Sequence, residues 1–225
     1  MHKASLAPPS RHWYALLGLV LGLSVAVFVM LALNVEQSGA LARDDRQWLL
    51  DIVGWRVGWL NGIFKVVTQF CSGLVTYGLL IVAALVLWRL RRDVRVGVAC
   101  VAWLALGQLL RLAVNTAIAR PRPPSFLHLV SAAGYAFPSG HTTNATIAYG
   151  LLAFIAVGYL PRLRWLLISL AVVMAVAVGL SRSYLGVHWP TDVLGGWSLG
   201  IAWLCLGAVT GLLVGLSQKR RERIT

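Results

Sequence analysis

Four polar side chains lie close together near the C-terminal end of the sequence, where an apolar run gives way to polar residues. They are Ser181, Arg182, His188 and Asp192. Pro190 suits the first turn of a helix because its missing N–H would be unsatisfied there, so His188 would precede the helix and Asp192 would lie inside it. The carboxylate could then accept a hydrogen bond from one ring nitrogen of His188 and leave the other nitrogen free and nucleophilic. Arg182 would add a planar guanidinium suited to phosphate, although this segment alone could also be an ordinary polar corner.

A second polar segment is Pro138-Ser139-Gly140-His141. Proline and serine ahead of an apolar run predict a helix start with Ser139 as its N-cap. The first free N–H groups and the positive end of the helix dipole would then face the loop and favour an anion. Gly140 would let a ligand approach the backbone closely, and His141 could protonate a leaving oxygen. Taken alone, the segment would be better explained as a plain N-cap with a surface histidine.

A third segment, residues 115–124, ends a predicted helix with prolines and leaves two arginines, Arg120 and Arg122, in extended chain. Taken alone, it could be a basic loop that flanks a membrane. Together with the other two segments, it is a candidate third wall of a phosphate site.

The three segments together resemble the type 2 phosphatidic acid phosphatases, whose signature is Lys-x6-Arg-Pro, Pro-Ser-Gly-His and Ser-Arg-x5-His-x3-Asp. The second and third motifs are complete here, whereas in the first Arg122-Pro123 fits but Asn115 stands at the position of the family lysine. Asparagine can donate a hydrogen bond but brings no charge. Arg111 lies one helical turn earlier on the same face, and an arginine inside an apolar run usually has a function. We expect Arg111 partly to replace the missing charge; a structural bond between helices is the alternative.

The resemblance implies a lipid phosphatase that works through a phosphohistidine. His188, held by Asp192, would attack the terminal phosphorus while His141 protonates the departing oxygen, and His141 would then activate water. The phosphate oxygens would be bound by a set of donors that comprises Arg122, Ser139, Gly140 and Arg182, with Asn115 and Arg111 as further candidates. The sequence has no carboxylate cluster of the kind that holds magnesium beside phosphate, so we expect no metal and no cofactor.

The composition places the chain in a bilayer. Hydrophobic residues make up 59% of the sequence, charged residues 12%, and the mean hydropathy is +0.77. We therefore predict one all-α membrane domain over residues 1–225. Apolar runs long enough to cross a hydrocarbon core of roughly 30 Å predict a bundle of six transmembrane helices. These runs lie at about 13–33, 70–88, 96–118, 142–160, 164–182 and 193–216.

The first outer loop, residues 34–65, has mixed composition. Trp48, Trp55 and Trp59 fall at i, i+7 and i+11, which places them on one face of a helix. This spacing predicts an amphipathic helix that lies along the membrane surface. A helix packed against the bundle by the same stripe is the alternative.

The distribution of basic residues predicts the orientation. Of the 20 lysines and arginines, twelve lie in the tails and in the connectors near 89–95 and 161–164, seven lie on the other side, and Arg111 lies inside a span. The positive-inside rule then predicts a multi-pass inner-membrane protein with cytoplasmic termini and a site that faces the periplasm or the exterior. The net charge of +13 is explained by contact with anionic lipid heads, so we predict no nucleic-acid partner.

Three functions of different classes fit these features. The first is hydrolysis of a lipid phosphate monoester or pyrophosphate, with undecaprenyl pyrophosphate, phosphatidylglycerol phosphate and phosphatidic acid as candidate substrates. The second is a lipid phosphotransferase that uses the same residues, and the third is a non-enzymatic membrane protein with a relic phosphate site. Intact His141, His188 and Asp192 argue against the third. The motifs bind only the phosphate, so the sequence does not determine which lipid carries it. The sequence does not determine the oligomeric state either.

Overall fold

The computed structural model describes residues 11–91 and 94–209, and it is all-helical over these residues, as predicted. Two short 3-10 helices, at Ser125–Leu127 and Pro161–Leu163, lie in the connections. The α-helices, in chain order, are α1 Arg11–Glu36, α2 Ala40–Gly54, α3 Gly58–Gln69, α4 Gly73–Arg91, α5 Arg95–Ile118, α6 Gly140–Tyr159, α7 Arg164–Tyr184 and α8 Pro190–Val209.

The predicted membrane spans agree with these helices. Within the described part of the chain, α1, α5, α6, the run Pro161–Tyr184 that ends in α7, and α8 are each long and apolar enough to cross a bilayer. A sixth span results when α3 and α4, which meet at a 50° bend, are counted together. Residues 210–216 of the last predicted run, and most of both predicted cytoplasmic tails, lie outside the described residues.

The first outer loop differs from the prediction of one amphipathic helix, because it contains two helices, α2 and α3, separated at residues 55–57. Arg56 turns inward at this break: its Nε donates to the carbonyl of Tyr184 at 2.8 Å and its Nη2 donates to the carbonyl of Leu127 at 2.9 Å. These contacts between distant parts of the chain fix the break. Trp55 and Trp59 are 81% and 72% exposed, so they do not pack against the bundle. Their place at a membrane surface stays a prediction.

The close approach of α8 to α6 brings the second and third motifs together. Gly196 of α8 lies against the start of α6, where a Cβ atom would come within 3.0 Å of the Ser139 carbonyl oxygen and 2.8 Å of Thr142 Cβ. Only glycine fits at this distance. The Ser139 N–H donates to the carbonyl of Asp192 at 3.0 Å. The two motifs are therefore directly bonded through the main chain.

The first motif reaches the same end of the bundle from α5. The Asn115 amide Nδ2 donates to the carbonyl of Phe137 at 2.9 Å, just ahead of Pro138. On the other side of α6, the Asn144 amide Nδ2 donates to the carbonyl of Cys71, in the joint between α3 and α4, at 2.8 Å. The fold thus gathers the end of α5, the start of α6, the start of α8 and the bend between α3 and α4 around one place.

Candidate active site

A cavity of about 290 Å³ lies where these helix ends meet. Residues from all three motifs line it, together with side chains from α4 and α5. A larger cavity of about 550 Å³ lies between α6 and α7 and is lined mostly by apolar side chains, which suit lipid rather than phosphate. The smaller cavity is lined by polar residues that include Tyr77, Gln108, Arg111, Asn115, Arg122, Tyr135, Gly140, His141, Asn144 and His188.

His188 and Asp192 form the predicted pair at the start of α8. Nδ1 of His188 lies 3.3 Å from Oδ2 of Asp192, which also accepts the Trp189 backbone N–H at 2.9 Å. The other ring nitrogen, Nε2, lies 3.0 Å from Nη1 of Arg122. A guanidinium can only donate, so Nε2 must carry the lone pair and the ring proton must sit on Nδ1, facing Asp192. This is the tautomer that a nucleophilic Nε2 requires.

The surroundings of His188 favour its neutral form. The side chain is 1% exposed, and burial together with the charges of Arg122 and Arg182 lowers the pKa of His188 well below its usual 6.5. The imidazole is therefore uncharged at neutral pH. An uncharged ring is the form that can attack phosphorus.

Arg122 is held by the main chain in front of Nε2. Its guanidinium donates to the carbonyls of Gly134 at 2.9 Å, Ala133 at 2.8 Å and Val187 at 2.8 Å. Burial lowers the pKa of Arg122, and the charge of Asp192 opposes that shift. The bonds to carbonyls fix the plane of the guanidinium at the cavity wall. A phosphoryl group that approaches His188 would therefore meet an oriented donor.

The start of α6 lies where the sequence predicts, with Ser139 ahead of its first backbone N–H groups. Ser139 occupies the N-cap position, yet its hydroxyl makes no capping bond and instead accepts a hydrogen bond from the Thr142 hydroxyl at 3.0 Å. The first backbone N–H groups of a helix have no partner within the helix, so without a side-chain cap they stay open to an anion. Gly140 and His141 line the cavity, whereas Ser139 is fully buried behind it.

Arg182 is buried close enough to His188 to act on it through its charge, but it does not line the cavity. Its Nη1 donates to the Thr68 hydroxyl of α3 at 2.5 Å, and the residue is 3% exposed. Its Nε is buried without a hydrogen-bond partner among the residues that the structure describes. Arg182 therefore acts on His188 through its charge in this structure, and direct contact with a phosphate oxygen stays a prediction.

Asn115 and Arg111 have different surroundings on α5. The Asn115 side chain is 6% exposed, and its bond to the Phe137 carbonyl fixes the approach to the second motif. The Arg111 guanidinium carbon lies 3.4 Å from the place that a Cβ atom on Gly140 would take. Within residues 11–91 and 94–209, Arg111 Nε is buried without a hydrogen-bond partner. A buried guanidinium with an unpaired donor at the cavity wall suits an anionic ligand.

The structure adds Asp45, to which the sequence analysis gave no role, and places Arg120 beside Asp192 rather than on the cavity wall. Arg120 donates from Nη1 to Asp192 Oδ1 at 2.5 Å and from Nη2 to Asp45 Oδ2 at 2.7 Å. Asp45 belongs to α2, and its side chain is fully buried. The sequence held one signal for Arg120, since residues 120–122 carry two arginines where the first motif requires one. Asp45 is one of several charged residues in the outer loop, and the sequence analysis did not distinguish it from the others.

The side chains around the cavity suit an anion more than a cation. The described residues contain no group of three or more His, Cys, Asp or Glu side chains arranged to hold a metal ion. Arg111, Arg122, His141 and His188 line the wall, and none of them is a carboxylate ligand for magnesium. Activity without a metal stays a prediction.

Comparison with known proteins identifies similar chains. A family model described as the PAP2 superfamily matches residues 96–211, which include all three motifs. Phosphatidylglycerophosphatase B of Bacillus subtilis is 32% identical over 183 residues, covering 79% of this chain and 88% of that protein. Undecaprenyl-diphosphatase of Sulfolobus acidocaldarius is 26% identical over 200 residues, covering 86% and 89%. The crystal structure of a transmembrane PAP2-type phosphatidylglycerolphosphate phosphatase from Bacillus subtilis superposes with a TM-score of 0.75 at 31% identity, covering 84% of this chain and 94% of that chain.

Proposed function

Because the chain belongs to the PAP2 superfamily and is a membrane lipid phosphatase, we propose that it transfers the terminal phosphoryl group of a lipid phosphate to His188 and then to water. The strongest support for this proposal is the geometry around His188. Its unprotonated nitrogen Nε2, on a neutral and buried ring, lies beside the guanidinium of Arg122 at the wall of a cavity that His141 also lines.

In the first step, His188 Nε2 attacks phosphorus, and the bond from phosphorus to the leaving oxygen breaks. His141 donates a proton to that oxygen, so the lipid leaves as an alcohol or as a lipid monophosphate. Arg122 Nη1 donates to His188 Nε2 at 3.0 Å. During attack this N–H moves to a phosphoryl oxygen, because Nε2 then uses its lone pair to bind phosphorus.

In the second step, His141 takes a proton from water as that water attacks the phosphohistidine. The bond between phosphorus and Nε2 breaks, inorganic phosphate leaves, and His188 returns to its starting form. The Nδ1 proton stays in place throughout, because Asp192 Oδ2 accepts it at 3.3 Å. Asp192 thus stabilises the positive charge that the ring carries while it is phosphorylated.

The transition state spreads negative charge over three equatorial oxygens, and the site offers positive groups around them. Arg122 and Arg111 line the cavity, Arg182 is buried close to His188, and the first amides of α6 face the cavity from the Gly140 side. Donors fixed before reaction cost no reorganisation when charge develops, so they lower the barrier effectively. The arginines and backbone amides around the cavity therefore support phosphoryl transfer in which fixed positive groups stabilise the transition state.

The relatives and the membrane setting support a substrate class for this chain. Two similar proteins are phosphatidylglycerophosphatase B and undecaprenyl-diphosphatase. We therefore propose a membrane lipid with a terminal phosphate, of the phosphatidylglycerol phosphate or undecaprenyl pyrophosphate type, with phosphatidic acid as a further candidate. The excess of basic residues in the tails and in the two connectors supports a cytoplasmic location for them and an outward-facing site.

Phosphate release from a panel of these three lipids tests the proposed activity. The purified protein in detergent should release inorganic phosphate from at least one of them. The rate should be unchanged when EDTA is present, because histidines and arginines supply the chemistry. Phosphorylated acceptor lipid without free phosphate would indicate the phosphotransferase instead. No turnover of any lipid, from protein shown to be folded, would contradict the proposal.

Replacing Arg111 tests whether this residue supplies the charge that the first motif lacks. Arg111→Ala should lower kcat/KM by about 10- to 100-fold, since hydrogen bonds to charged groups contribute roughly 1.5 to 3 kcal/mol. The double variant Arg111→Ala with Asn115→Lys returns a cation to the motif position, one turn away, and should recover part of the loss. Enzyme kinetics on the preferred lipid of the panel measure both effects.

The matched control is Arg46→Ala, which removes the same charge from an exposed position on α2. It should leave kcat/KM within about twofold of wild type, because exposed charges at a distance are screened. Full kcat and substrate affinity in Arg111→Ala would show that the arginine is structural.

A further inference from the structure

We propose that Asp45, in the first outer loop, is a positioning residue of the active site that acts through Arg120 on Asp192 and thereby on His188. The inference rests on the proposed function, because it concerns how the nucleophile is held. Asp45 does not line the cavity, so it is not expected to touch the substrate.

The contacts form a continuous chain from α2 to the nucleophile. Asp45 Oδ2 accepts Arg120 Nη2 at 2.7 Å, and Arg120 Nη1 donates to Asp192 Oδ1 at 2.5 Å. The other oxygen of Asp192 accepts the ring N–H of His188. One guanidinium is therefore fixed between two carboxylates. Its planar fork can satisfy both of them at once, which no ammonium group can do with the same geometry.

Asp45 also binds the start of the helix that carries Asp192. Its Oδ1 accepts the backbone N–H of Thr191, in the first turn of α8, at 2.9 Å, and its Oδ2 accepts the Thr191 hydroxyl. A carboxylate is favoured there because it satisfies an orphan amide at the positive end of the helix dipole. Leu49, one turn later on α2, is fully buried as well. This face of α2 is therefore docked at the start of α8.

The charges of this chain of contacts matter for the reaction. With both carboxylates ionised, Asp45, Arg120 and Asp192 together carry a net charge of −1 beside His188; burial raises the pKa of Asp45, and its hydrogen bonds from Thr191 and Arg120 oppose that shift. When Nε2 binds phosphorus and Nδ1 keeps its proton, the ring becomes positively charged, and the adjacent negative charge stabilises that state more than the neutral one. Interactions that strengthen along the reaction raise kcat rather than substrate affinity. Removing the charge of Asp45 should therefore slow the transfer.

The variant that tests the inference is Asp45→Asn, which keeps the shape of the side chain and removes its charge. Loss of a residue that orients a metal-binding side chain in an enzyme typically lowers activity by about 10- to 100-fold. We expect the loss of Asp45, which orients the partner of His188, to lower kcat by a similar factor. KM should stay within about threefold, because the cavity wall is unchanged. The matched control is Asp44→Asn, which removes the same charge from the adjacent exposed residue on α2 and should keep wild-type kcat.

A second comparison separates positioning from a merely structural role. If Asp45 acts through Arg120, adding Asp45→Asn to an Arg120→Gln variant should cause no further loss of kcat. The bonds of Asp45 to Thr191 contribute to folded yield, so only a further fall in kcat in that background would show that Asp45 acts independently of Arg120. If Asp45→Asn does not accumulate as folded protein, Arg120→Lys carries the same expectation, since it keeps the charge but loses the fork.

The outcomes are distinguishable from failure of the proposed function. Wild-type protein that releases phosphate, with Asp45→Asn equal to wild type in kcat, would overturn the inference alone. A loss that appears mainly in KM, or that adds fully to the loss in Arg120→Gln, would overturn it too. Wild-type protein without phosphatase activity would contradict the proposed function instead.

Discussion

Replacing His188 with alanine should abolish phosphate release, lowering kcat by a factor on the order of 10⁴ or more. The structure gives the reason. The Nε2 lone pair accepts a hydrogen bond from Arg122 at the cavity wall, and the ring proton is held on Nδ1 by Asp192. His141 also lines the cavity, but among the described residues only His188 is paired with a carboxylate through its other ring nitrogen.

The assay is release of inorganic phosphate from the preferred lipid, with circular dichroism and thermal unfolding to establish that the variant is folded. His188→Gln serves as a second variant, since it fills more of the space that alanine leaves empty. His12→Ala is the control, because His12 is an exposed histidine on α1. Turnover by His188→Ala within tenfold of wild type would refute its assignment as the nucleophile.

Replacing His141 with glutamine should lower kcat by about 10²- to 10⁴-fold, the range that a positioned acid or base contributes. His141 lies at the start of α6 and lines the same cavity as His188. In the proposed reaction it protonates the leaving oxygen and later deprotonates water. With a diphosphate lipid the leaving group is a phosphate, which departs more easily than an alcohol. The substitution should therefore lower the rate of phosphohistidine hydrolysis more than the rate of phosphohistidine formation.

The consequence is that His141→Gln should accumulate the phosphorylated enzyme with a diphosphate lipid, whereas wild type should not. Rapid quenching and measurement of protein-bound phosphate test this. His12→Gln, which makes the same substitution at an exposed site, should behave as wild type. If the kcat of His141→Gln were close to that of wild type, His141 would carry out neither of the two proton transfers.

The parts of this protein that the sequence predicted are those fixed by local spacing. Apolar runs longer than a bilayer is thick predicted the spans, because length and composition alone satisfy that requirement. The pairing of His188 with Asp192 was predictable as well, since Pro190 sets the start of α8 and the two residues lie one helical turn apart. Neither prediction required knowledge of contacts between distant segments.

The parts that were missed depend on such contacts. Asp45 and Arg120 are 75 residues apart, and nothing local to α2 distinguishes the buried Asp45 from the exposed Asp44 beside it. The break between α2 and α3 is likewise fixed by Arg56 bonds to carbonyls far along the chain.

The position of Ser139 at the N-cap was predicted, whereas the partner of its hydroxyl was not. The sequence showed a good capping residue but not that the Thr142 hydroxyl would donate to it. A helix start without a side-chain cap is poorer for stability and better for binding an anion, and the second motif lies at such a start. Local propensity therefore predicted the helix boundary and the N-cap residue correctly, but it did not predict the partner of the Ser139 side chain.

The measurement that tests the account most directly is the location of the phosphate on the enzyme. His141→Gln protein would be mixed with a diphosphate lipid labelled with ³²P at its terminal phosphate, quenched in alkali, digested and sequenced by mass spectrometry. We predict an acid-labile, alkali-stable label on His188 alone. A label on another residue, or direct release of labelled phosphate with no protein-bound intermediate, would contradict the central claim that His188 carries the phosphoryl group.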